Sequence, residues 1–170
     1  MSEAPKKEQI IDIKASVKAI IESIDQERER EIIKRRFGLY ERKETLEQIG
    51  ELLGITRERV RQLEKAILIR IKMVAERGEL PDVTSCEKVI IRTLSDMGRV
   101  AKLHELTDKL LGKKSNSRER AHIAFIAELS PNLTVINETD NYENGVAIAE
   151  YGDEKKIKKQ IEEIIKTIKT

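Results

Sequence analysis

The stretch from Thr45 to Lys72, TLEQIGELLGITRERVRQLEKAILIRIK, constrains the fold of this chain more than any other. Ile and Leu recur at helical spacing on both sides of Gly54. Thr45 and Gln48 have the spacing of a capping box, and Thr56 stands where it can cap a second helix. The stretch therefore predicts a short helix, a tight turn and a longer helix.

The second of these helices is predicted to be two-sided. At about 100° per residue, Val60, Leu63, Ile67 and Ile71 fall on one side, and Arg59 lies on the flank. The opposite side carries Arg57, Glu58, Arg61, Gln62 and Lys65. Arg, Gln and Glu can hydrogen-bond to base edges, and a helix-turn-helix inserts the N-terminal end of its second helix into the major groove. Sequence alone leaves open an ordinary helical hairpin with a charged surface.

The rest of the chain predicts a mainly α protein in four parts. The first, residues 1–77, is an N-terminal helical bundle that contains the helix-turn-helix. In it, apolar spacing predicts a helix over about 6–24, then a second helix capped by Asp25 and stopped at Gly38. Residues 78–85, GELPDVTS, lack periodicity and predict a linker. Thr84 and Glu87 have capping-box spacing and would begin the next helix.

Residues 86–152 predict an α+β winged helix. Two further helices are expected around 102–111 and 117–129, with Phe125 and Ile126 in the core. LTVINET and GVAIAEY then alternate and are rich in β-branched residues, which predicts a small hairpin. Residues 153–170 place five Ile on one face and Lys on the other, so we expect a final amphipathic helix.

The distribution of charge and the number of aromatic residues limit the kinds of partner that the chain can bind. Residues 27–72 hold thirteen Lys and Arg against nine Glu, a balance of +4, whereas residues 86–152 hold nine against ten acidic residues, a balance of −1. A polyanion is therefore expected on the first half. The five aromatic residues are too few for a binder of single strands that relies on stacking. Neither a signal peptide nor a membrane span is evident, so we expect a cytoplasmic protein without a membrane partner.

Catalysis finds little support in the sequence. Cys86 is the single cysteine and is expected at a helix N-terminus, half-buried, with no thiol partner. His104 and His122 lie on different predicted helices and are expected to be exposed near helix ends. With no glycine-rich phosphate loop either, we expect no enzyme, cofactor, metal site or small-molecule substrate.

The residues from Arg28 to Lys72 also resemble a known family. "RRFGL", "TLEQIGELLGITRERVRQLEKA" and the closing "IRIK" look like region four of housekeeping bacterial sigma factors. The resemblance implies double-stranded promoter DNA as a partner, read at the −35-type element, and docking on the beta flap of RNA polymerase. By position it implies base contacts from Arg57, Glu58 and Gln62. It implies backbone contacts from Arg36, Thr45, Leu46, Arg59 and Arg61, which Lys65 on the same face would join.

The chain departs from that family elsewhere. Nothing in it resembles the regions that recognise and melt the downstream promoter element, so it is not expected to be a complete sigma factor. Residues 86–152 are similar instead to the HARE-HTH winged helix, through "EKVIIRTLSDMGRVAKLHELTDKLLG" and "RERAHIAFIAELSPN". We expect this half to dock on another protein; the alternatives are auxiliary DNA contacts from Lys113, Lys114, Arg118 and Arg120, or a purely structural spacer. Glu138, Asp140 and Glu143 around the hairpin tip would instead repel phosphates.

Three hypotheses follow. The first is a sequence-specific DNA-binding protein that acts on transcription. The second is an adaptor that docks on the polymerase beta flap and recruits a partner through the winged helix. The third is the DNA-targeting module of a larger protein.

Overall fold

The computed structural model describes residues 12–137 and 144–149. Seven α-helices and three β-strands lie in these two ranges. In chain order they are α1 (Ile13–Glu22), α2 (Glu27–Phe37), α3 (Leu46–Leu53), α4 (Arg57–Glu76), α5 (Pro81–Asp96), β1 (Val100–Lys102), α6 (Leu103–Leu111), α7 (Ser117–Leu129), β2 (Leu133–Ile136) and β3 (Gly145–Ile148). The expected fold class, mainly α with a small hairpin, is confirmed. We call α1–α4 the first half and α5–β3 the second half.

Local signals in the first half set most of the helix ends. Asp12 caps α1, its side chain accepting a hydrogen bond from the N–H of Ala15. Helix α2 stops at Gly38 as predicted, and Gly38 adopts the left-handed conformation with φ of 66°. The prediction that Asp25 caps α2 was wrong: the cap position is Gln26, and its side chain makes no capping bond. The N-terminal part of the predicted 6–24 helix, before residue 12, lies outside the described residues.

The predicted linker over residues 78–85 was also wrong for most of its length. Helix α5 begins at Pro81, which suits the first helical position because its missing N–H would have no partner there. The Thr84–Glu87 capping box does not form: the Thr84 hydroxyl donates to the carbonyl oxygen of Leu80. The Glu87 carboxylate instead accepts from the backbone N–H and the side-chain amide of Asn132, both at 3.0 Å. This contact joins α5 to the start of β2.

A three-stranded antiparallel sheet closes the second half, in the order β1-β3-β2. The predicted hairpin is present as β2 and β3, with Val135 opposite Val146. Strand β1 was not predicted, because three residues are too few to show alternation; it pairs with β3 through Ala101 and Val146. The three acidic residues expected at the hairpin tip, Glu138, Asp140 and Glu143, lie outside the described residues, as does the predicted helix over 153–170.

The two halves share one hydrophobic core. Helix α1, which the sequence predicts to belong to the first domain, packs mainly on α5 and α7 of the second half. At the same junction the rings of Phe37 and Phe125 meet edge to face with centroids 5.1 Å apart, and Phe125 is fully buried. The boundary at residue 78 therefore lies between two helices, α4 and α5, and does not separate two hydrophobic cores.

His122 corrects a further prediction. It lies in the middle of α7, only 4% exposed, and is not an exposed residue near a helix end. Its Nε2 atom lies 2.6 Å from the carbonyl oxygen of Leu39 and therefore acts as the donor, which ties α7 to the residues after α2. Cys86 is likewise buried, inside α5 instead of at its N-terminus. In the described ranges, none of the helices has the length and apolar character needed to cross a membrane.

Candidate nucleic-acid interface

The turn between α3 and α4 is built by backbone contacts that only glycine allows. The Thr45 side chain and the Gln48 side chain cap α3 reciprocally, as predicted. Gly54 ends α3 with φ of 70°, and the N–H groups of Gly54 and Ile55 both bond to the carbonyl oxygen of Gly50. A side chain at Gly50 would place its Cβ 2.7 Å from the carbonyl oxygen of Ile55. These contacts fix α4 relative to α3.

Helix α4 has the two sides that its sequence predicted. Val60, Ile67 and Ile71 are buried in the core, and Thr56 caps the helix by accepting from the N–H of Arg59. The opposite side, which we call the outer face, is exposed to solvent. It carries Arg57, Glu58, Arg61, Gln62 and Lys65. Three kinds of group that can address base edges thus project within about two turns of the N-terminal end of α4.

The outer face is held by ion pairs that water can reach. Arg61 binds the Glu58 carboxylate through two nitrogens, at 2.6 and 2.9 Å, and this contact lowers the pKa of Glu58. Arg57 lies 3.5 Å from Glu47 on α3, with both side chains more than 60% exposed. Such exposed pairs contribute little to stability, so a ligand can exchange them at low cost. Glu47 carries no sequence signal for this pairing, because only the crossing of α3 and α4 brings it near Arg57.

The predicted phosphate contacts at the start of α3 lie at its exposed N-terminal end. Thr45 is exposed, although its hydroxyl is already used as the cap. The N–H of Leu46 belongs to the first helical turn, where no intrahelical acceptor exists. An anion could therefore be held there by backbone N–H groups and the helix dipole.

Arg36 is engaged within the protein. Its Nε atom donates to Glu64 on α4 at 3.2 Å, and a terminal nitrogen donates to the carbonyl oxygen of Glu44. The Arg36 side chain is 30% exposed and that of Glu64 is 18% exposed, so the pair is partly shielded from water. Arg36 could meet a phosphate only with Glu64 beside it. The sequence offered no signal for this pairing, because 28 positions separate the two residues.

The four cations suggested in the second half divide into two kinds. Lys113 pairs with Glu119 at 3.0 Å, and Arg120 donates to the carbonyl oxygen of Ser115, so both have structural partners. Lys114 and Arg118 are exposed at the N-terminal side of α7. Arg118 lines a cleft together with Arg42 and Lys43 of the α2–α3 loop, two residues that the sequence analysis passed over.

Comparison with known proteins agrees with the geometry of α2–α4. The family model described as "Sigma-70, region 4" matches residues 26–72. This segment is similar to region 4 of the sigma-70 family. The matched segment includes α2, α3, the turn, and the part of α4 that carries the outer face. The expected resemblance is confirmed for these residues, and the match does not extend to the second half.

Several curated relatives are similar to a part of the chain. The RNA polymerase sigma factor RpoD of Helicobacter pylori is 41% identical over 63 residues, which are 36% of this chain and 9% of that protein. The RNA polymerase sigma factor RpoS of Coxiella burnetii is 39% identical over 69 residues, 40% of this chain and 19% of that protein. The RNA polymerase sigma factor sigB of Arabidopsis thaliana is 46% identical over 46 residues, which are 26% of this chain and 8% of that protein.

The chain therefore spans less than a fifth of the length of these sigma factors. No solved structure matches it.

Proposed function

We propose that this protein binds double-stranded DNA in a sequence-specific manner and acts on transcription. The observation that carries the proposal is the outer face of α4: exposed guanidinium, carboxylate and amide groups at the N-terminal end of the second helix of the helix-turn-helix, in the segment similar to sigma-70 region 4. In this proposal Arg57, Glu58 and Gln62 read bases in the major groove. Backbone contacts come from Thr45, the N–H of Leu46, Arg59, Arg61, Lys65 and Arg36.

Selection from a pool of random duplexes, followed by sequencing, tests this proposal and supplies the target. Arg57→Ala should then weaken binding to the selected site by about 1–3 kcal/mol and relax the preference at one base pair. Lys65→Ala is the matched control on the same face, because loss of a phosphate contact should weaken selected and random duplexes equally. If Arg57→Ala behaved like Lys65→Ala, the base-reading role of Arg57 would be wrong.

A second candidate is an adaptor on RNA polymerase, docked on the beta flap. The relatives are named RNA polymerase sigma factors, and Ile69 and Met73 on the C-terminal half of α4 are each about half exposed, one turn apart. Exposed apolar residues away from the DNA-reading end favour a protein contact. In this proposal residues 86–152, which the sequence predicts to be a winged helix of HARE-HTH type, are the recruiting half of the adaptor. Co-purification of polymerase after nuclease treatment tests it, and the Ile69→Lys variant should abolish recovery.

A further inference from the structure

A cleft between the two halves brings together cations that are far apart in the sequence. It has a volume of about 700 Å³ and lies between the α2–α3 loop and the N-terminal end of α7. Arg42 and Lys43 line it from the loop, and Arg118 lines it from α7. Glu41 is the one carboxylate among its lining residues. Three positive charges thus face one negative charge around a space that is open to solvent.

The side chains of the three cations have no partner among the residues that the structure describes. All three are exposed. In the part of the chain that the structure describes, neither a hydrogen bond nor an ion pair engages the side chain of Arg42, Lys43 or Arg118. Their neighbours differ: Lys34, Arg35 and Arg36 on α2 all have carboxylate partners. Unpaired like charges around one concave space raise the local concentration of anions.

Packing holds both walls of the cleft in place. Gly38 adopts φ of 66°, and a Cβ there would lie 3.0 to 3.1 Å from backbone and side-chain atoms of Lys43. The loop therefore folds back closely on the end of α2 and fixes where Lys43 begins. On the other wall, the hydrogen bond from His122 to Leu39 and the edge-to-face contact of Phe37 with Phe125 hold α7 against this loop. The backbone positions that carry the cations are therefore fixed before any ligand binds.

The cleft continues the line of phosphate contacts proposed for the region 4 domain. Lys43 also lines a neighbouring groove with Arg36, and Thr45 follows it by two residues. We propose that this cleft binds the sugar–phosphate backbone of the same duplex that α4 reads, so that Arg118 of the second half extends the DNA contact. This inference rests on the proposed function. Cations that meet phosphates add affinity for any sequence and make binding depend on salt.

Removal of the three charges tests the inference in the full chain. The variant R42A/K43A/R118A should bind the selected duplex with a smaller dependence of affinity on salt. Each phosphate contact contributes about −0.9 to the slope of log K against log salt concentration. Loss of three contacts should therefore make this slope shallower by about 2.7. Selected and random duplexes should lose affinity by the same factor. K88A/R92A/K109A is the control: it removes three exposed cations of α5 and α6 that do not line the cleft, and should leave the slope unchanged.

A positional experiment avoids reliance on affinity. Ser117 lines the cleft, and Cys86 is buried with burial raising the pKa of its thiol, so Ser117→Cys can be labelled selectively with an iron chelate. Radicals from that position should cut the DNA backbone in one flank of the selected site. The same label on Lys109→Cys, away from the cleft, should give no such cuts. Equal cutting by both, or none by either, would overturn the inference.

The outcomes separate this inference from the function on which it rests. If Arg57→Ala abolishes the sequence preference while R42A/K43A/R118A keeps the full salt slope, the region 4 domain reads DNA and the cleft does not touch it. If the triple variant keeps its DNA affinity but no longer binds polyglutamate, the occupant of the cleft is an acidic polypeptide and our assignment is wrong. If the unaltered protein selects no duplex at all, the proposed function fails first.

Discussion

Substitution of Gly50 by alanine should destabilise this protein although Gly50 lies inside a helix. Helix propensity alone predicts the reverse, because alanine is favoured over glycine by about 1 kcal/mol in a helix interior. At this position, however, the added Cβ would lie 2.7 Å from the carbonyl oxygen of Ile55. That oxygen belongs to the backbone of the turn and cannot rotate away as a flexible side chain could.

The size of the effect follows from the distance. Ordinary van der Waals contact begins at 3.4 Å, so the turn and α3 must separate by about 0.7 Å. The movement strains the hydrogen bonds from the N–H groups of Gly54 and Ile55 to the Gly50 carbonyl oxygen. Overpacking of this kind costs about 1–3 kcal/mol. After the gain in propensity is subtracted, we expect a net loss of up to about 2 kcal/mol in the free energy of unfolding.

Denaturant unfolding of the Gly50→Ala variant measures this loss. Glu51, exposed on the same helix, provides the control: the difference between Glu51→Ala and Glu51→Gly gives the propensity term at a neighbouring unstrained position. DNA affinity should fall as well, because the separation changes the angle at which α3 presents α4. A Gly50→Ala protein that is about 1 kcal/mol more stable than the parent would refute the close contact and the argument built on it.

Three further predictions concern the junction and the charges near α4. Burial lowers the pKa of His122, whereas the unfolded value is about 6.5, so the free energy of unfolding should decrease by up to about 1.4 kcal/mol per unit as pH falls below about 7. His122→Gln can still donate to Leu39, and its urea unfolding curves should lack this slope between pH 7.5 and 5.5. Glu64→Gln removes the carboxylate beside Arg36, so selected and random duplexes should both bind more tightly, with a steeper salt dependence; weaker binding would contradict the phosphate role of Arg36. Phe125→Ala should cost about 3–5 kcal/mol in unfolding measurements. If the core is shared, hydrogen exchange should accelerate in α4 as well as in α7.

The sequence was most informative where structure depends on neighbouring residues. The capping box of Thr45 and Gln48, the tight turn at Gly54 and the cap at Thr56 were all predicted correctly, because each depends on residues within four positions. The outer face of α4 was predictable for the same reason: a helix converts spacing directly into sidedness. The roles given to Arg57, Glu58 and Gln62 in DNA recognition stay predictions, since they depend on a partner.

Prediction failed where structure depends on contacts between distant segments. The composition of residues 78–85 predicted a linker, but Pro81 begins a helix there whose core residues pack on α1. His122 has the same sequence signature whether it is exposed or buried, and its partner Leu39 lies 83 positions away. The cleft cations Arg42 and Arg118 are likewise brought together only by the packing of α7 on the end of α2.

That packing has a consequence for function. In a chain of two separate domains, a flexible linker would let the second half sample many positions around a duplex held by α4, so its cations would have to be ordered on binding. Here α1 and α7 bury side chains in a core common to both halves, and no linker intervenes between Gly78 and Pro81 beyond two residues. Folding therefore already fixes the position of Arg118 relative to α4. A phosphate contact from the second half would then carry no entropic cost of ordering that half on binding.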